Sequence, residues 1–136
     1  MSTQMYSYKF NNGGWVGAKR GDCVMRAISI ATERSYDLVF NELMDLAKEK
    51  QNLPNNKKVY MPYLNALGWK WKATMGIGTG CKVHLKANEL PGGRILCQVS
   101  NHCVAVIDGV INDTHDCSRD GTRCVYGYFY KEETTE

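Results

Sequence analysis

The chain has 136 residues, 43% hydrophobic and 23% charged, with a formal net charge of +3, an ordinary globular composition that fits a single domain over residues 1–136. Lys and Arg form no run longer than a pair such as Lys57-Lys58, which argues against a nucleic-acid partner. The longest apolar run, Val104–Ile107, is too short to span a bilayer, so no membrane association is expected.

The N-terminal MSTQMYSYKFNNGG carries no apolar stretch of export-signal length, and Asn11-Asn12-Gly13-Gly14 reads as a turn in an irregular segment. A soluble, cytoplasmic protein is the expectation. Its cysteines, Cys23, Cys81, Cys97, Cys103, Cys117 and Cys124, are then expected to be reduced. The first helix is predicted from Cys23 to Glu33, because Val24, Ala27, Ile28 and Ala31 recur at helical spacing. Asp22 is its expected N-cap. A second helix is predicted over Tyr36–Lys50, capped by Ser35, with Asp37 and Lys48/Lys50 matching the helix dipole. Leu53–Lys57 reads as a turn. A short helix is expected over Met61–Leu67, with Pro62 in its first turn and Gly68 as its stop.

The period then changes. Trp69–Ala73 alternates apolar and basic residues and reads as a half-buried strand. Met75–Gly80 is a glycine-rich loop. Its GIGTG lacks the Lys-Ser/Thr of a phosphate-binding loop, so no cofactor is expected there. Leu85–Leu90 reads as one helical turn. Strands are predicted over Arg94–Val99, His102–Ile107, Val110–Asp113 and Cys124–Tyr130, with Thr114–Thr122 a polar loop. Asp108-Gly109 is a two-residue hairpin signal. Helices followed by strands predict an α+β fold in which N-terminal helices pack on a C-terminal antiparallel sheet. No C-x-x-C pair occurs, and His115-x-Cys117 with Cys124 is a weak ligand set, so no metal is expected.

One constellation carries chemistry. Cys23 stands at a helix N-terminus, where unpaired N–H groups stabilise a thiolate. Such a nucleophile needs a proton acceptor and a group to orient it. A two-residue turn at Asp108-Gly109 pairs Ile107 with Val110, Val106 with Ile111 and Ala105 with Asn112. Opposed residues share a face, so His102 and Asp113 become diagonal neighbours and Asn112 points away. A three-residue loop would bring Asn112 round instead. Cys103 falls on the face opposite His102 and reads as core, as do Trp69 and Trp71; His84 reads as exposed.

The stretches GDCVMRAISIA and HCVAVIDG and the acid of NDT resemble the papain-like cysteine peptidase superfamily, in the style of its small C39-like and phage-encoded members. The order Cys, His, Asp along the chain is similar too. The resemblance covers residues 20–31 and 102–114. It implies a papain-like fold and a bacterial or phage origin. Cys23 would be the nucleophile, His102 the general base and acid, and Asp113 the orienting residue. The implied partner is a protein or peptide substrate. The family commonly places a Gln several residues before the nucleophile as an oxyanion donor. Here Gly17 is six residues before Cys23, and no Gln lies between Gln4 and Gln51. The Cys23 backbone N–H is one candidate donor, and Asn11, Asn12 or Lys19 supplies candidates for a second. The alternatives are a non-catalytic binding or inhibitory protein on the same scaffold, and a related acyl transferase or deamidase.

Overall fold

The computed structural model describes residues 7–11, 13, 23–75, 80–86, 89–99, 102–114, 116–118 and 121–131. Among them are the strand β1 (Ser7–Phe10), the helices α1 (Cys23–Thr32), α2 (Tyr36–Lys50) and α3 (Lys57–Ala66), and the strands β2 (Trp69–Ala73), β3 (Arg94–Val99), β4 (His102–Ile107), β5 (Val110–Asp113) and β6 (Val125–Lys131). The class is α+β. The strands form one six-stranded sheet in the order β1-β5-β4-β3-β6-β2. The sheet is mixed rather than antiparallel, because β1, expected to be irregular, pairs in parallel with β5, Phe10 standing opposite Asp113.

Local chemistry accounts for the helix ends. The Ser35 hydroxyl accepts from the Leu38 N–H at 3.2 Å and starts α2. Gln51 closes it in the left-handed conformation, φ 53°. The third helix starts four residues earlier than expected because Asn56, inside the predicted turn, is a cap; its side chain accepts from the Lys58 N–H at 2.8 Å. Pro62 therefore sits inside α3, where the carbonyl that loses a donor is that of exposed Lys58. The expected cap of α1, Asp22, lies outside the described residues. At the other end of α1 the Arg94 guanidinium donates to the carbonyls of Ala31 and Ile30, at 2.8 and 2.5 Å, satisfying two terminal acceptors.

α1 is buried on nearly every side, from Val24 to Ala31, because it lies between the sheet and the other two helices. Leu96 and Ala105 share its cluster from β3 and β4, while Phe129 of β6 packs against Tyr60 and Trp71. The opposite sheet face carries Ile95, Val104, Val106 and Ile111, covered by Leu85, Leu90 and Cys117 from the connecting segments. Burial on both faces explains why β3 and β4 read as almost continuous apolar runs. It also corrects two expectations. The segment after β5 is not wholly polar surface, since Cys117 and Ser118 are buried. His84 is half-buried, bridges to Cys124, and places Nδ1 3.1 Å from Glu89 Oε1. Leu85–Leu90 cannot be followed as a helical turn, because residues 87–88 are not described.

The expectation of six reduced thiols is also overturned. Cys81 and Cys124 form a disulfide, their Cα atoms 5.8 Å apart. The partner strand segments are brought together by Leu85 N–H to Arg123 and Val125 N–H to Val83 backbone bonds, at 2.8 Å each. Cys23, Cys97, Cys103 and Cys117 are free. Among the described residues no helix is long and apolar enough to cross a membrane.

Gly127 on β6 lies under the Trp71 ring, which also packs against Phe129 with centroids 4.8 Å apart. A Cβ at Gly127 would overlap that ring and come within 2.8 Å of the Lys72 carbonyl. Gly127→Ala is therefore expected to cost about 1–3 kcal/mol by overpacking. A thermal melt unchanged from the unsubstituted protein would show that Trp71 can move aside without cost.

Candidate active site

The hairpin delivers two of the three expected residues with the anticipated geometry. Asp108 and Gly109 both adopt positive φ, 49° and 80°, as a type I′ turn requires. Ile107, Val106 and Ala105 stand opposite Val110, Ile111 and Asn112. His102 Nε2 lies 2.6 Å from Asp113 Oδ2. Asp113 is 1% exposed, and its other oxygen accepts from Arg26 Nη2 at 3.0 Å and from the Thr114 N–H at 2.7 Å. β1 holds the same point from outside: the Asn11 N–H and the Tyr8 hydroxyl donate to the Asp113 carbonyl, at 2.8 and 3.2 Å.

Cys23 opens α1, half-buried, against the same end of β4. Cys23 and His102 line one cavity of about 430 Å³. Val24, Val99 and Tyr126 supply apolar wall, while Asn55, Tyr60, Gln98 and Cys103 supply polar atoms. No Lys, Arg, Asp or Glu lines it among the described residues.

The electrostatics follow from these contacts. The Cys103 thiol hydrogen-bonds the Cys23 sulfur, and despite the opposing effect of burial, this bond and one from His102 lower the Cys23 pKa to about 4. Burial alone would lower the His102 pKa, but hydrogen bonds to Asp113, Cys117 and Cys23 raise it to about 11. Burial pushes the Asp113 carboxyl up; His102, Thr114 and Arg26 together more than offset this and leave it below its ordinary value. Both shifts run in the direction of a thiolate beside an imidazolium at neutral pH, with a buried carboxylate next to the ring. Cys103 is held as a thiol, raised first by its bond to Cys23 and then by burial, while Tyr60 hydrogen-bonds it from α3.

His102, Asp113 and Cys117 also place one ligand-type atom each within 4.8 Å of one another. These are the donors a metal ion would use, but both Asp113 oxygens are already engaged by Arg26, Thr114 and His102, so the group reads as a hydrogen-bonded network. The oxyanion expectations fare differently. Asn11 is committed to β5: its Nδ2 donates to Asn112 Oδ1 at 3.1 Å and its Oδ1 accepts from the Gly13 N–H at 2.9 Å. Asn12 and Lys19 lie outside the described residues, as does His115. Gln98 stands in the cavity instead, with a buried Oε1 that has no hydrogen-bond partner among the described residues.

Comparison of the chain with protein-family models, with curated proteins and with solved structures returned no match. The papain-like resemblance therefore stands on its two sequence stretches alone.

Sequence reading missed Arg26, Cys103 and Gln98. Arg26 carried a signal, since it is the one charged residue within the apolar CVMRAISIAT of α1. Gln98 carried none, because only its register opposite Cys103 brings it to the face that α1 covers.

Proposed function

We propose that the protein is a thiol-dependent hydrolase acting on an amide or ester carbonyl, in the manner of a papain-like peptidase. One observation carries the reading: a helix-opening thiol shares a cavity with an imidazole whose Nε2 is bonded at 2.6 Å to a buried carboxylate. The Cys23 thiolate would attack the carbonyl carbon, forming the C–S bond and an oxyanion. Collapse of that intermediate breaks the bond to the leaving group, which takes its proton from the His102 imidazolium. His102, now neutral, removes a proton from water. The hydroxide adds to the acyl-enzyme, the C–S bond breaks, and the thiolate–imidazolium pair is restored. Asp113 keeps the ring oriented throughout. The backbone N–H of Cys23, in the first turn of α1, is one oxyanion donor. The Gln98 side-chain N–H, on a residue that lines the same cavity, would be the second. Among the described residues no Lys, Arg, Asp or Glu lines the cavity, which favours a substrate that presents uncharged side chains to it.

The test uses p-nitrophenyl acetate followed by intact-mass measurement after acid quench. The expected result is an acetyl group on Cys23 at pH 6, where ordinary thiols are almost wholly protonated. The same label is expected to be lost in Cys23→Ala and reduced at least about tenfold in His102→Ala, since the thiolate would lose one of its two hydrogen-bonding partners. A Cys23 that acylates no faster than glutathione at pH 6, with no effect of His102→Ala, would sink the proposal. Hydrolysis, transamidation and side-chain deamidation share the acyl-enzyme and differ only in acceptor and substrate, so peptide libraries separate them afterwards.

A further inference from the structure

We propose that Cys23 and Cys103 form a peroxide-driven, reversible disulfide that switches the candidate site off. The regulatory half of this inference rests on the hydrolase reading; the bond itself does not.

The argument begins with placement. Of the free cysteines other than Cys23, Cys97 and Cys117 pack on the sheet face away from the helices. Cys103 alone packs on the face that α1 covers, in the cluster against which Cys23 rests. Both sulfurs line the same cavity. Cys103 is also the largest influence holding the Cys23 thiol down, as expected of two residues that line one cavity and share one packing cluster. Nothing in the proposed hydrolysis uses a second thiol at this position.

The two sulfurs differ in the way such a pair requires. Cys23 is half-buried in an open cavity and held as a thiolate, the form that peroxide attacks. Cys103 is 6% exposed and kept as a thiol, shielded from direct oxidation but adjacent to the product. In the first step the Cys23 thiolate takes one oxygen from hydrogen peroxide. The O–O bond breaks, hydroxide leaves, and the sulfur becomes a sulfenic acid. In the second step the Cys103 sulfur attacks the sulfenic sulfur. The S–S bond forms, the S–O bond breaks, and the Cys103 proton leaves with the hydroxyl as water. Two thiols lose two electrons and one peroxide becomes two waters once the hydroxide is protonated. A small dithiol or glutathione returns both sulfurs to the reduced state. Without Cys103 the sulfenic acid stays exposed and a second peroxide carries it irreversibly to the sulfinic acid. The pair therefore protects the nucleophile as well as silencing it.

Peptide mapping of the full chain tests this. Trypsin isolates Cys23 in residues 21–26, while Cys97, Cys103 and Cys117 share residues 95–119, so fragment ions must assign the bonded sulfur. After hydrogen peroxide and iodoacetamide, the expected product is the two peptides joined through Cys103, two hydrogens lighter than their sum. Cys23 alkylation is lost and returns with dithiothreitol. In Cys103→Ser, or in Cys103→Ala if the serine variant does not fold, the expected product is Cys23 heavier by two oxygens, which dithiothreitol does not reverse. A link through Cys97 or Cys117 would overturn the proposal. So would sulfinic Cys23 without a link in the unsubstituted protein, or a Cys23 left alkylatable while glutathione in the same tube is consumed. Acetylation of unoxidised Cys23 by p-nitrophenyl acetate is measured separately, so failure of the disulfide and failure of the hydrolase reading are distinct results.

Discussion

Asp113→Ala is expected to lower stability by about 3–5 kcal/mol, the range for removing one partner of a buried ion pair. Asp113 is 1% exposed and accepts from Arg26, His102 and Thr114 at 3.0, 2.6 and 2.7 Å. Its loss leaves a buried guanidinium and an imidazolium without their shared counter-charge. Against a typical total of about 5–15 kcal/mol, such a variant is marginal. The urea midpoint measures the effect. Replacing both charges of the Arg26–Asp113 pair, as in Arg26→Met with Asp113→Leu, should recover part of it, because the buried guanidinium goes together with its counter-charge while His102 still loses its carboxylate. The single variant should also slow alkylation of Cys23 at pH 6, since the imidazolium beside the thiolate loses its support. A midpoint shift no larger than that of an exposed carboxylate such as Glu49→Ala would show that the pair contributes nothing of this kind.

The second large effect is on the pH dependence of stability. Cys23, lowered to about 4 from an ordinary 9.0, stabilises the fold fully above pH 9.0, and this contribution drains away as the pH falls towards 4. His102, raised to about 11 from 6.5, contributes fully below pH 6.5 and loses its contribution as the pH climbs towards 11. Between 6.5 and 9.0 the unfolded chain holds one proton on sulfur, and the folded chain holds one on the ring. The counts match, so this pair gives a plateau. Below 6.5 the unfolded chain binds one proton more, and stability falls by about 1.4 kcal/mol per pH unit. Above 9.0 it binds one fewer, and stability falls again. Asp113, depressed from 3.8, steepens the loss at the acid end. Cys23→Ser removes the sulfur and should turn the plateau into a decline beginning near pH 6.5. Urea titrations from pH 5 to 10 check this; identical profiles for the two proteins would mean that no thiolate–imidazolium pair exists.

What could be read from the sequence was whatever local chemistry decides. The β4–β5 register was legible because Asp108-Gly109 favours a two-residue turn, and that turn, rather than the three-residue alternative, sets His102 beside Asp113. α2 was legible through Ser35 and an uninterrupted apolar stripe. The start of α3 was not, since Asn56 lies in a stretch whose composition reads equally as a turn. β1 was hidden for a different reason. Four residues, SYKF, carry little pattern, and their partner lies a hundred positions away in a parallel pairing that no turn announces. The Cys81–Cys124 bridge and the arrival of Gln98 and Cys103 beside Cys23 likewise depend on packing between distant elements.

Two of the residues that fix Asp113 come from far earlier in the chain: Tyr8 lies 105 positions before it and Arg26 lies 87 before it. During synthesis, α1 leaves the ribosome long before β4 and β5 exist. A nascent Cys23 is therefore an ordinary thiol, with neither imidazole nor carboxylate to activate it. On the hydrolase reading, reactivity would arise only when residues 102–113 have been made and have closed onto the sheet, a slow step for contacts of such long range. Chemical competence would then be timed by translation, and a ribosome-stalled fragment ending before residue 102 should carry the sulfur without its chemistry.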